Sequence, residues 1–175
     1  MPEKFARESY TEMNELVLPN DTNTFGNLMG GRLLYWMDIC SAIAAQKHCS
    51  NVVVTASVDN VSFKRSVKLG EVVTICAQVT RAFNSSVEVL LEIFAQNLPE
   101  GTRVKTNQAF YTFVAIDSIG RPKKVPVLVP ETDREKRLFE QALHRRELRL
   151  LLAGKIKPSE AITLKDMLNF FDKED

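Results

Sequence analysis

Apolar side chains are spaced in more than one way along this chain, and each spacing predicts a different element. From Thr11 to Leu18 (TEMNELVL) they are frequent but irregular and stop at Pro19, which suits a first strand. Between Arg32 and Cys49, Leu33, Leu34, Met37, Ile43 and Ala44 recur at helical spacing among Trp36 and several alanines, with almost no charge, so a buried helix is expected. Four segments then carry β-branched and aromatic residues, separated by Gly, Pro, Asn and Ser: Val52 to Phe63, Glu71 to Phe83, Ser86 to Gln96 and Val104 to Asp117. A run of strands after one helix predicts an α+β fold, an antiparallel sheet with the helix across one face.

Beyond Pro130 the pattern becomes charged and helical. ETDREKRLFEQALHRRELRLLLAG, closed by Gly154, and KPSEAITLKDMLNFFDKED predict two helices. Leu138, Gln141, Ala142, Arg145, Leu148 and Leu152 form one moderately apolar stripe, expected to pack on the body or on a neighbouring subunit as a capping appendage without chemistry. The expected organisation is one domain over 10–130 and a C-terminal helical extension over 131–175.

Composition narrows the partners. The 175 residues suffice for one domain with an appendage, and 45% hydrophobic with 26% charged residues is a globular balance. A net charge of +1 supplies no overall field for nucleic acid or an anionic membrane, so an anionic ligand needs a local cation cluster. Cys40, Cys49 and Cys76 are odd in number without CxxC spacing, which argues against a disulfide framework and against a zinc site. Met1 to Tyr10 lacks the apolar core of a secretory signal and no segment is long and apolar enough to span a bilayer, so a cytoplasmic protein is expected.

Between the first strand and the helix, NDTNTFGNLMGG reads as a loop whose double glycine admits close approach of another group. N–H groups around Gly30 and Gly31 fall at the helix start, free of intrahelical bonds and at the positive dipole end, where they can stabilise charge on a carbonyl oxygen. Asp38 is the one acid in the apolar helical run, and burial would raise its pKa toward that of a general base for water. The competing reading is a core carboxylate bonded to strand backbone. Gly30 and Asp38 are separated by roughly 12 Å along one helix at its usual rise. If they cooperate, Asp38 must serve a site at the helix start of a second subunit, across a two-fold axis.

The segments LPNDTNTFGNLMGGRLLYWMD, VDNVSFKRSVKLGEVV and YTFVAIDSIGRPKKVP resemble, in order, the signature of the hotdog-fold acyl-CoA thioesterases, of the bacterial YciA type and the brain acyl-CoA hydrolase type. The resemblance covers roughly Leu16 to Pro130. It implies a hotdog fold, a five-stranded antiparallel sheet wrapped around a central helix, and subunits paired as a double hotdog, often a trimer of dimers. It implies hydrolysis of acyl-CoA to free acid and coenzyme A, with no cofactor beyond the CoA carried by the substrate. Asn23 matches the catalytic Asn of the family, Asp38 its catalytic acid, and the backbone at Gly30 or Gly31 polarises the thioester, with Asn and acid from opposite subunits. CoA phosphates call for local cations, for which Lys64 with Arg65 and Arg121 with Lys123 and Lys124 are candidates, while Ser85 and Ser86 could bond phosphate or pantetheine groups. Acyl-chain preference would follow from how Trp36, Phe25 and Tyr35 pack. The chain departs from the bacterial pattern in its C-terminal helices, in Arg32 after the glycines, and in Phe83-Asn84 before the serines. His48 is expected at the helix end and His144 in solvent. Two alternatives are a non-catalytic acyl-CoA sensor and an enoyl-CoA hydratase on the same fold, though Gly26 stands where a D-x-N-x-x-H hydratase motif would have its histidine.

Overall fold

The computed structural model describes residues 2–59, 61–62 and 65–171, with side chains up to 166. It contains β1 (Glu3–Phe5), a 3-10 turn (Ala6–Ser9), β2 (Thr11–Leu16), a second 3-10 turn (Pro19–Asp21), α1 (Gly30–Cys49), β3 (Val53–Val58), β4 (Val72–Ala82), β5 (Ser86–Asn97), β6 (Thr102–Ala115), β7 (Val127–Val129), α2 (Asp133–Leu152) and α3 (Ile162–Phe171). Five strands form one sheet in the order β2-β4-β5-β6-β3, every neighbour antiparallel. The anticipated hotdog arrangement is therefore present, with α1 packed on the sheet. A short parallel pair, β1 with β7, was not legible in the sequence.

Alternation along the strands builds the core. On β5, Val87, Val89, Leu91, Ile93 and Ala95 face α1 and are buried. They meet Leu33, Trp36, Met37, Cys40 and Ala44, which share the inward face of the helix. The helix is not buried all round, because its other face leaves Tyr35 57% and Ile43 40% exposed. Trp36 is a core residue, so of the three side chains expected to shape an acyl channel only Phe25, 86% exposed, and Tyr35 lie outside the core. Burial also pushes the Cys40 thiol up to about 12 and the Cys49 thiol to about 11, as inert core cysteines.

Three expected strands are shorter than read, the one over Glu71 to Phe83 by a residue at each end. The first ends at Leu16, and Pro19 opens a 3-10 turn instead. The strand from Val52 ends at Val58, on the sheet edge, with Val54 and Val58 nearly half exposed. Two devices fix the C-terminal end of α1. Ser50 takes the left-handed conformation at its C-terminus, and the Lys4 ammonium donates to the Lys47 carbonyl and the Ser50 hydroxyl, cation on negative dipole end.

The chain divides into two compact units, Met1–Val129 and Pro130–Asp175. In the second, Thr132 and Glu135 form a reciprocal capping box at the start of α2. Gly154, at φ +65°, lets its own N–H and that of Lys155 turn back to the carbonyls of Leu151 and Leu150. α2 and α3 pack on each other, and Glu147 accepts the N–H groups of Thr163 and Leu164 at the start of α3. The stripe read on α2 is only partly buried: Ala142 is covered, whereas Gln141, Leu148 and Leu152 are exposed. His144 is half-buried rather than fully solvated.

Candidate active site

The loop before α1 is held by its own backbone. Asn23 N–H donates to the Asn27 carbonyl, Gly26 N–H to that of Asn23, and Met29 N–H to that of Asp21. Gly26 adopts φ +69°, the conformation this tight turn requires. The Asn23 side-chain oxygen accepts the N–H groups of Phe25 and Asn27, at 3.0 and 3.2 Å. That pairing settles the amide orientation: Oδ1 is engaged by backbone, and Nδ2 is left as a donor without a partner among the described residues.

Helix α1 begins at Gly30 after Met29. The Met29 carbonyl accepts the N–H groups of Arg32 and Leu33, so those of Gly30 and Gly31 have no backbone partner among the described residues. A Cβ placed on Gly31 meets nothing within 4 Å, so no part of its own subunit needs that glycine. Asn23 and Gly30 line one cavity of about 210 Å³ with Asn27, Leu33 and Arg65. A second groove at the helix start, of about 410 Å³, is lined by Met29, Gly31, Arg32 and Tyr35.

Asp38 lies elsewhere. It is half-buried on α1, not sunk in the core as its apolar neighbours suggested, and its Oδ1 accepts the Thr55 hydroxyl at 2.8 Å instead of strand backbone. Thr55 was not singled out from the sequence, where it is one threonine among many in strands. Opposite Phe113 in the sheet it shares the face toward α1, and a bulge between Thr55 and Ser57 resets the register beyond it. Tyr111, buried beneath, is pushed up to about 12 by burial and then by the Asp38 charge.

The candidate cations separate into two groups. Arg65 stands in the cavity with Asn23, 3.5 Å from the buried Glu71 carboxylate, which also accepts the Lys68 N–H. Lys64 lies outside the described residues. Ser85, in the β4–β5 turn, and Ser86, which opens β5, adjoin the segment bearing Arg121, Lys123 and Lys124, because Ala115 N–H donates to the Ser85 carbonyl and Val125 N–H to that of Asn84. All three of those cations are exposed. They sit at the far end of β4 from Asn23, since the Asn23 loop joins the turn before Val72 and the serines follow Ala82. One subunit thus brings Asn23, Gly30 and Arg65 together and keeps Asp38, Thr55 and the serine-lysine cluster apart from them. Among the described residues no group of three or more His, Cys, Asp or Glu could hold a metal ion, and no helix is long and apolar enough to cross a membrane.

Residues 25–102 match the family described as the thioesterase superfamily. The uncharacterized acyl-CoA thioester hydrolase YkhA of Bacillus subtilis is 37% identical over 81% of this chain and 83% of its own length. The chain spans a smaller part of longer mouse relatives, 26% of acyl-coenzyme A thioesterase 11 and 35% of the cytosolic acyl coenzyme A thioester hydrolase. A hexameric acyl-CoA thioesterase solved without ligand is 40% identical with a TM-score of 0.85, over 87% of this chain and 98% of that one. An acyl-CoA hydrolase from Staphylococcus aureus, solved with butyryl coenzyme A, coenzyme A and coenzyme A disulfide, is 34% identical with a TM-score of 0.79, over 98% of this chain and 99% of that one. That hydrolase has also been solved with an Asn, an Asp and a Thr each replaced by Ala, at the sequence spacing of Asn23, Asp38 and Thr55. By fold, by motif order and by identity across most of its length, this chain belongs to the hotdog-fold thioesterase superfamily.

Proposed function

We propose that the chain hydrolyses acyl-CoA thioesters to a free carboxylic acid and coenzyme A. The observation that carries this reading is a division of labour along α1: an amide donor and two free N–H groups at its start, and a carboxylate held by a threonine two turns on. Each half is incomplete alone. In a two-fold pair with antiparallel α1 helices, Asp38 of one subunit meets Gly30 and Asn23 of the other. The exposed Tyr35 and Ile43 on α1, with Val58 on the same side of the edge strand β3, supply an apolar face for that pairing.

In the paired site the thioester carbonyl oxygen takes hydrogen bonds from Gly30 or Gly31 N–H, with the positive end of the α1 dipole behind them. Asp38 accepts a proton from water as the water oxygen attacks the carbonyl carbon. Asn23 Nδ2 donates to the water or the carbonyl oxygen. Collapse of the tetrahedral intermediate breaks the carbon–sulfur bond, and the Asp38 proton passes to the departing CoA thiolate. Arg65, with Lys64 beside it in sequence, and the cluster of Ser85, Ser86, Arg121, Lys123 and Lys124 serve the pantetheine and phosphate groups. No cofactor beyond the substrate is needed. The working assembly is a homodimer, built up as a trimer of dimers, in the cytoplasm.

The test is thiol release from palmitoyl-, butyryl- and acetyl-CoA, followed with a thiol-reactive dye. Turnover of at least one supports the reading. Binding of all three without thiol release would establish a sensor, and hydration of an enoyl-CoA without thiol release would establish a hydratase.

A further inference from the structure

The Asn23 loop keeps its shape through its own backbone bonds, one of which, Met29 N–H to the Asp21 carbonyl, reaches the residue that opens α1. On one side, Leu28 N–H donates to the Val67 carbonyl and Leu69 N–H to that of Gly26, tying the loop to the turn before β4. On the helix side a side chain adds a second tie, into the first turn of α1 itself. Asp21, two residues before Asn23, is buried at 5% exposure. Its Oδ2 accepts the Leu18 N–H at 3.0 Å, and its Oδ1 accepts Nε of Arg32, two residues after Gly30, at 2.8 Å. A buried carboxylate with a backbone donor on one oxygen and a guanidinium on the other has both oxygens engaged, so its geometry is fixed. The ion pair therefore spans the same interval as the site, from just before the amide donor to just after the free N–H groups.

We propose that Asp21 and Arg32 are positioning residues of the thioester site, setting Asn23 Nδ2 against the N–H groups of Gly30 and Gly31 so that both address one reacting group. In this role both act through the groups they hold and not on the substrate. The inference rests on the thioesterase reading of the site and adds to it a device for registering its two halves. Donors that must converge on one atom lose much of their effect with a displacement on the order of 1 Å, which costs roughly 10²-fold in rate.

The experiment is steady-state thiol release by the wild type, Arg32→Met, Arg32→Lys, Asp21→Asn and the double variant Asp21→Asn/Arg32→Met, with inhibition by free CoA and thermal unfolding of each. Arg32→Met removes the pair with little volume change on a side chain that is 36% exposed, and the double variant relieves the buried Asp21 carboxylate that this leaves without its cation, so the pair's role can be read even if Arg32→Met is destabilised. Expected are a fall in kcat of roughly 10- to 100-fold with KM and CoA inhibition within about twofold, and recovery to within about fivefold of wild type in Arg32→Lys. The double variant is expected to be no worse than the more impaired single, because the two groups act as one unit. Unchanged kcat in folded Arg32→Met, with only a lower unfolding temperature, makes the pair structural and overturns the proposal. A loss confined to KM and CoA inhibition makes Arg32 a substrate contact and also overturns it. If the wild type releases no thiol from any acyl-CoA, the thioesterase reading falls and this inference falls with it.

Discussion

Thr55 donates its hydroxyl hydrogen to Oδ1 of Asp38 across 2.8 Å, joining an edge strand to the middle of α1. The bond leaves Asp38 Oδ2 without a partner among the described residues and holds the carboxylate in one orientation. Asp38→Asn, nearly isosteric but unable to take up the proton, should lower kcat on the order of 10²-fold with little change in KM. Thr55→Ala should cost less, roughly 10-fold, with most activity regained in Thr55→Ser. Wild-type kcat in folded Asp38→Asn protein would remove the proposed general base.

A shared site predicts complementation. Asn23→Ala and Asp38→Ala proteins should each be nearly inactive, because every site lacks one group. In a mixed dimer one site regains both groups and the other lacks both, so with random assortment about a quarter of all sites recover. Co-expression with two tags isolates the mixed species, whose activity is then compared with both parents. Equal inactivity of all three would place both groups of each site on one chain.

Gly31→Ala separates folding from chemistry. The subunit has room for the added methyl, and Ala in a helix is more favourable than Gly by about 0.5–1 kcal/mol, so thermal stability should hold or rise. The methyl nevertheless stands where a thioester or a second subunit must approach, and kcat/KM should fall at least about 10-fold. An unimpaired, well-folded Gly31→Ala protein would show that nothing approaches this position in the working enzyme.

The exposed cations at the β4–β5 end should act on binding and not on chemistry. Replacing Arg121, Lys123 and Lys124 by Gln should raise KM for acyl-CoA several-fold and leave kcat nearly intact, the mark of uniform binding. Dephospho-CoA should inhibit the wild type more weakly than CoA. Equal inhibition constants for the two would mean that no cation reads the terminal phosphate.

His48 makes stability depend on pH. Its Nε2 donates to the Pro126 carbonyl at 3.0 Å, and buried Nδ1 has no partner among the described residues. Burial depresses its pKa, opposed by the Pro126 bond, with Lys4 lowering it and Glu8 raising it. The unfolded chain, near 6.5, therefore binds the proton first as pH falls. This contribution to stability is complete above roughly pH 6.5 and declines below it, by at most about 1.4 kcal/mol per pH unit until the folded-state pKa is reached. Urea unfolding between pH 5 and 8 checks this, and His48→Gln should flatten the profile. A wild-type profile no steeper than that of the variant would contradict it.

Much of this protein is written in local sequence. Alternation along Val72 to Ala115 specifies strands with one face inward, Pro19 stops the first strand, and Gly154 permits the left-handed residue that ends α2. The loop before α1, the glycine pair at the helix start and the isolated acid Asp38 on an apolar helix are likewise near-neighbour features, whereas Asn23 stands out within that loop only through the family resemblance. What the sequence left open depends on residues far apart along the chain. Thr55 meets Asp38 only because β3 pairs with β6 and a bulge sets its register, and no local pattern encodes that. The exposure of Asp38, Tyr35 and Ile43 follows from which side of α1 the sheet covers, and helical periodicity alone cannot choose that side. Arg32 reads as a lone departure until the turn at Pro19 carries the Asp21 carboxylate to it. Sequence fixes what each segment can be, because propensity and periodicity act over a few residues. Packing decides which side chains meet, because sheet register and helix rotation are set by the whole core at once.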